Sequence, residues 1–120
     1  MPRLGRLEAT VMDVLWSADA PLTVREVLER MPRQRDLAYT TVMTVLTNLF
    51  RKEMVGREPV GRAYSYRPSV SRQEAAAASL REVLDSSSDP RLALMHFVET
   101  ASEEESTILR DGLSRRDQRS

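Results

Sequence analysis

The chain lacks cysteine and has one histidine among its 120 residues. The absence of cysteine excludes a disulfide framework, a thiolate zinc site and a cysteine nucleophile. With His96 alone there are too few imidazoles for a metal cluster, so we expect neither a metal nor another cofactor. No apolar run approaches the roughly 20 residues that span a bilayer. We therefore expect no membrane insertion and a cytoplasmic location.

Neither sign of charge is in excess, because 18 Arg and Lys residues balance 18 Asp and Glu residues. The balance hides an asymmetry: residues 1–68 hold 11 basic against 8 acidic side chains, whereas residues 69–120 hold 7 against 10. Such halves are expected to contact different partners. All basic residues except Lys52 are arginine, whose planar guanidinium suits phosphate.

Apolar spacing and capping motifs predict a mainly α chain with six helices and one hairpin. Helices are expected over 6–18, 23–31 and 38–52, followed by strands 55–58 and 63–67 that residues 59–62 join. Ser71, Asp89 and Ser102 each cap a further helix, and residues 114–120 are expected to fray. This order predicts a winged helix-turn-helix domain (three helices plus a β-hairpin wing) over 1–69 and a three-helix dimerisation domain over 70–120.

The third predicted helix separates into two faces on a helical wheel. Its apolar face contains Val42, Val45, Leu46, Leu49 and Phe50, and its polar face contains Thr40, Thr41, Thr44, Thr47, Asn48 and Arg51. Threonine is a poor helix former, and no carboxylate occurs from Leu37 through Lys52. An acid-free face of hydroxyls suits DNA, because hydroxyls donate to phosphates and base edges. The alternatives are a solvated face that lacks acids by chance and a small α+β domain with a solvated basic hairpin.

The fifth predicted helix is apolar around most of its circumference. Three short helices in about 50 residues offer too little core to cover it, so a second chain is expected to do so through a two-fold symmetric contact. The predicted dimer contacts are Leu80, Leu84, Leu94, Phe97, Val98, Ile108 and Leu109.

Three blocks of sequence resemble the BlaI/MecI penicillinase repressors over nearly the whole chain. They are LGRLE at 4–8 with VM at 11–12 and LW at 15–16, YTTVMTVL at 39–46, and GRAYSYRP at 61–68. The resemblance implies a homodimeric repressor whose winged domain binds double-stranded DNA at an inverted-repeat operator with TACA/TGTA cores. It also implies release by proteolysis, triggered by a membrane sensor protease that detects β-lactams.

The chain departs from the family at individual residues. Met43 stands where some members carry a base-reading arginine, and Asn48 where many carry arginine. The counterpart of the bond cleaved in relatives is His96-Phe97, with histidine in place of asparagine. With the polar face and the hairpin cations, the predicted DNA contacts are Thr40, Thr41, Met43, Thr44, Thr47, Asn48, Arg51, Lys52 and Arg62.

Two other functional classes compete with a repressor. A winged-helix domain can serve as a protein-protein interaction module without DNA binding, although such a module needs no acid-free helix. A carboxylate-based hydrolase is the other class, but the acidic residues are scattered over predicted helix surfaces. We therefore predict that the chain is not an enzyme.

Overall fold

The computed structural model describes residues 4–32 and 36–119. The elements in chain order are α1 (Arg6–Ser17), β1 (Leu22–Thr23), α2 (Val24–Arg30), α3 (Tyr39–Arg51), β2 (Val55–Val60), β3 (Ala63–Pro68), α4 (Arg72–Asp85), α5 (Pro90–Glu99) and α6 (Glu103–Gln118). The predicted order of three helices, a hairpin and three further helices is confirmed. The chain divides into two compact units, Met1–Ser79 and Leu80–Ser120.

The predicted capping boxes set where helices begin. At α2, Thr23 Oγ1 accepts from Glu26 N at 3.2 Å, and Glu26 Oε1 accepts from Thr23 N at 2.9 Å. Ser71 caps α4 with Glu74 in the same way, and Ser102 caps α6 with Glu105. Each box satisfies two amides that a helix terminus leaves without partners.

The core of the first unit lies between α1, α2, α3 and the sheet. Each of these helices contributes apolar side chains spaced mostly three or four residues apart. The core side chains are Val11, Met12, Leu15, Leu22, Val24, Val27, Met31, Val42, Val45, Leu46, Leu49, Met54, Val55 and Tyr66. The unit extends past residue 69 into α4, where Arg72 pairs with Asp13 at 2.8 Å. Trp16 Nε1 of α1 donates to the carbonyl of Val70, which lies just before α4, at 2.9 Å.

The sheet has three antiparallel strands in the order β1-β3-β2. Strand β1 was not predicted, because two residues are too short to show an alternating pattern. The predicted four-residue hairpin loop is wrong, since β2 continues through Pro59 and Val60 and leaves a turn of Gly61 and Arg62. Proline is tolerated there because β2 is an edge strand. Gly61 has φ 62°, as the first position of a type II′ turn requires.

Helix α3 ends in a Schellman motif with glutamate at the left-handed position. Glu53 has φ 62°, Met54 N donates to Leu49 O at 3.0 Å, and Glu53 N donates to Phe50 O at 3.0 Å. Glycine is the usual residue in this conformation because it has no Cβ. The turn delivers the chain directly into the wing.

The second unit contains no buried residue among 80–119. Its apolar side chains are exposed, as Phe97 is by 50%. Helix α6 continues to Gln118, so the fraying expected over 114–118 is wrong. The positive charges of Arg115 and Arg116 in its last turn interact favourably with the helix dipole. Ser120 lies outside the described residues. In the part of the chain that the structure describes, no helix is long and apolar enough to cross a membrane.

Candidate nucleic-acid interface

The polar face of α3 is presented to solvent. Thr40, Thr41, Met43, Thr44 and Arg51 are exposed, whereas Thr47 and Asn48 are half-buried. The opposite face is anchored in the core by Val42, Val45, Leu46 and Leu49. The two faces predicted for this helix are therefore present. A rigid helix with an exposed face free of carboxylates can enter a DNA groove without repelling phosphates.

The four threonines differ in the hydrogen bonds that they make. Thr44 Oγ1 donates to Thr40 O, and Thr47 Oγ1 donates to Met43 O, each at 2.9 Å. These two side chains can still offer methyl groups and accepting lone pairs. Within 4–32 and 36–119, Thr40 and Thr41 make no side-chain hydrogen bond. Their hydroxyls are therefore the ones available to donate to an external acceptor.

The predicted phosphate-binding cations have different surroundings. Arg51 is exposed at the end of α3, and Arg62 is exposed in the wing turn. Lys52 instead places its Nζ 2.7 Å from Glu8 Oε1, so its ammonium is engaged by α1. The structure thus brings Arg51 and the threonines onto one helix face and assigns Lys52 a contact within the protein.

Glu8 is held in its ionised form by this contact. Burial raises the pKa of its carboxyl, but the hydrogen bonds from Lys52 and the Gly5 amide and the Lys52 charge outweigh burial and lower the pKa below its ordinary value. Glu8 Oε2 is buried and has no hydrogen-bond partner in the part of the chain described. Loss of Lys52 would leave a carboxylate that is only 14% exposed without its counterion.

Two aromatic contacts were missed by sequence analysis. The sequence places Phe50 on the apolar face of α3, but Phe50 is 37% exposed, and the guanidinium carbon of Arg57 lies 4.0 Å from the Phe50 ring centroid. Tyr39, at the start of α3, lies 5.7 Å from the guanidinium carbon of Arg25. The wheel places Phe50 at the border of the apolar face, and that position is the signal that could have indicated an exposed ring.

The second unit carries the predicted dimer and cleavage residues. Leu80, Leu94, Phe97, Val98, Ile108 and Leu109 are exposed, and Leu84 is half-buried. His96 and Phe97 lie within α5, and His96 Nδ1 is 3.9 Å from Glu99 Oε2. The described residues contain no group of His, Asp and Glu side chains that could hold a metal ion.

A three-helix core with a small sheet and a hairpin wing defines the winged-helix class. Residues 4–115 match the sequence profile of the penicillinase repressor family. The chain therefore belongs to the penicillinase repressor family, as its sequence blocks predicted. This is a family of transcriptional regulators, which confirms the prediction that the chain is not an enzyme.

Several known proteins similar to this chain are repressors or regulators. The transcriptional regulator BlaI of Mycobacterium tuberculosis is 44% identical over 117 residues, which cover 95% of this chain and 85% of that protein. The solution structure of the DNA-binding domain of the repressor BlaI matches with a TM-score of 0.54 and 23% identity, over 61% of this chain and 88% of that one. A mutant of S. aureus MepR matches with a TM-score of 0.50 and 18% identity, over 96% and 78%. These two structural matches support the fold alone.

Proposed function

We propose that the protein is a homodimeric repressor that binds an inverted-repeat DNA operator through α3 and the wing. The observation that carries the proposal is the exposed α3 face without a carboxylate from Leu37 through Lys52. An α-helix fits the major groove of B-DNA, where each base pair presents its own pattern of donors and acceptors. Family membership and the similarity to BlaI support the same activity. Such a protein acts in the cytoplasm, where a bacterial operator lies.

Within this proposal the residues of α3 have separate roles. Thr41 and Thr44 face base edges, Thr41 through its hydroxyl and Thr44 through its methyl group. Arg51 and the wing residue Arg62 contact phosphates, which position the protein without reading sequence. The remaining contacts are assigned to Thr40, Met43, Thr47 and Asn48. Lys52 acts through Glu8, as a support for α3.

We further propose that the second unit forms the dimer. The support is that none of residues 80–119 is buried while many large apolar side chains lie exposed. Contiguous apolar surface of this kind marks an interaction site. A two-fold symmetric dimer matches an inverted-repeat operator, because each winged unit then meets the same half-site.

Release from the operator is assigned to proteolysis by a β-lactam-responsive sensor protease, at or near His96-Phe97. Cleavage there would divide α5 and separate the two winged units. Each unit would then lose the effective concentration that the tether provides, typically a factor of 10² to 10⁴. Mass spectrometry of the protein from β-lactam-treated source cells tests this step: an intact chain with induced target genes would exclude proteolysis, and fragments with other ends would relocate the site.

Selection of bound fragments from the source genome tests the proposed function. We expect fragments that share an inverted repeat and bind at least about 10³-fold more tightly than random DNA of equal length. The control is the same fragment with one half-site scrambled, which should lose most of the affinity. A protein that binds all fragments alike, or none, would contradict the proposal.

A further inference from the structure

Arg57 of β2 lies between two aromatic rings of different elements. Its guanidinium carbon is 4.0 Å from the ring centroid of Phe50 in α3 and 4.2 Å from that of Tyr64 in β3. Both distances fall within the roughly 6 Å over which a cation is attracted to a ring face. Arg57 thus joins α3 to both strands of the wing.

The stack lies where the hairpin leaves the core. Arg57 faces Tyr66 across the hairpin, and Tyr64 is its diagonal neighbour on the same face. Tyr66 is 2% exposed and belongs to the core, whereas Tyr64 is 41% exposed. The wing from Arg57 outward is therefore held against α3 by this exposed stack and not by buried packing.

A small tilt of the hairpin at Arg57 produces a larger displacement of the wing turn. The Val60–Ala63 pair that closes the turn lies three residue steps along β2 from the Arg57–Tyr66 pair. This is about 10 Å at 3.3 Å per residue, so a tilt of about 10° at Arg57 would move the turn by roughly 2 Å. Such a displacement is enough to break a hydrogen bond from Arg62.

No acid among the described residues pairs with Arg57. Within residues 4–32 and 36–119, Arg57 forms no ion pair. Arg67, on the opposite face of the same hairpin, lies over Gly56 and makes no ring contact in the described part of the chain. Arg57 and Arg67 therefore carry the same charge on the same hairpin, but only Arg57 connects the hairpin to α3.

We propose that Arg57 is a positioning residue for DNA binding, which fixes the wing against α3 so that Arg62 reaches a phosphate while α3 occupies the major groove. This inference rests on the proposed function. It assigns Arg57 an effect that passes through Arg62, in contrast to an independent phosphate contact. The two roles predict different effects of Arg62→Ala on DNA affinity when Arg57 has been replaced.

A double-mutant cycle on the selected operator fragment separates them. The variants are Arg57→Met, Arg62→Ala and the double mutant, with fluorescence anisotropy as the readout. We expect Arg62→Ala to weaken binding about 10-fold in the natural chain and about 2-fold or less in the Arg57→Met background. Arg67→Met is the matched control for charge, and it should leave the Arg62→Ala penalty at about 10-fold. Equal Arg62→Ala penalties with and without Arg57 would overturn the proposal.

Variants of Phe50 test the same contact with Arg57 intact. Phe50→Leu removes the ring and should lower the Arg62→Ala penalty as Arg57→Met does, whereas Phe50→Tyr keeps a ring and should restore it. Thermal unfolding identifies folded variants before binding is compared. Phe50→Leu with an undiminished Arg62→Ala penalty would also overturn the proposal. A natural chain that prefers no fragment would instead refute the proposed function, a result distinguishable from either outcome.

Discussion

Lys52 Nζ and Glu8 Oε1 lie 2.7 Å apart, and this ion pair joins the end of α3 to the first turn of α1. Gly5 N donates to the same oxygen at 2.9 Å. The carboxylate is 14% exposed and the ammonium side chain 33% exposed, so water screens the pair only in part. Lys52, at the end of the proposed DNA-binding helix, thus stabilises that helix through a contact inside the protein.

The lowered pKa of Glu8 predicts acid-sensitive stability. Because the pKa is lower in the folded state, the ion pair contributes its full stability above the unfolded value of 4.5 and loses it as pH falls through the folded pKa. We expect Lys52→Met to cost about 1–2 kcal/mol in urea unfolding at pH 7. We also expect the stability difference between the natural chain and this variant to shrink as pH falls through the folded pKa of Glu8, because the variant has no pair left to lose. Arg81→Met, which removes an exposed pair with Asp85, is the control and should cost far less. Equal costs would refute a special role for Lys52.

The left-handed Glu53 predicts a stabilising substitution. A residue with a Cβ loses roughly 1–2 kcal/mol in this conformation, whereas glycine does not. Glu53→Gly should therefore raise the free energy of unfolding by about 1 kcal/mol, part of the gain being lost to unfolded-chain entropy. Glu53→Ala keeps a Cβ and serves as the control, with little gain expected. A glycine variant no more stable than the alanine variant would show that the turn is unstrained.

The sequence anticipated those features that depend on local spacing. The two faces of α3 follow from 3.6-residue periodicity, and the box at Thr23 from a three-residue spacing, so both could be read directly. The partner of Lys52 could not, because Glu8 lies 44 residues away in sequence. The contact between Phe50 and Arg57 could not be predicted either, because the hairpin brings Arg57 over the ring. Long-range contacts therefore set the surroundings of Lys52 and Phe50, which local spacing does not reveal.

The different hydrogen bonds of Thr41 and Thr44 predict different responses to valine, which keeps a methyl group and removes the hydroxyl. Thr41→Val should cost roughly 1–3 kcal/mol on the operator and leave random-DNA binding nearly intact. Thr44→Val should cost much less, because that hydroxyl donates to Thr40 O. Thr107→Val on α6 is the control for the substitution itself. If Thr41→Val discriminates operator from random DNA as the natural chain does, α3 does not read sequence through this hydroxyl.

The two exposed arginines predict the salt dependence of binding. Arg51→Ala and Arg62→Ala should each lower the slope of log K against log salt by about 0.9, the value for one lost phosphate contact. Both should weaken binding to operator and random DNA alike. Lys52→Met should leave the slope nearly unchanged, since its ammonium pairs with Glu8. If the slope falls as much for Lys52→Met as for Arg51→Ala, Lys52 contacts a phosphate after all.

One groove of α5 carries opposite charges at its two ends. Arg91, Leu94, Met95, Val98 and Glu99 line it. If two copies of α5 pack antiparallel about a two-fold axis near Met95, Arg91 of one copy faces Glu99 of the other. Apolar side chains then meet between the charges, as a self-complementary interface requires. A parallel pair would place like charges together.

Engineered cysteines distinguish these arrangements, because the chain has no cysteine of its own. Met95→Cys should form a disulfide-linked dimer on mild oxidation, since the antiparallel axis brings the two copies of that position together. Arg91→Cys alone should link poorly, but a mixture of Arg91→Cys and Glu99→Cys chains should give the mixed dimer, as seen by mass spectrometry. Ser114→Cys, on the polar side of α6, is the control for collisional linkage. Efficient Arg91→Cys self-linkage would indicate a parallel pair and leave the dimer intact. A natural chain that sediments as a monomer at micromolar concentration would refute the dimer itself.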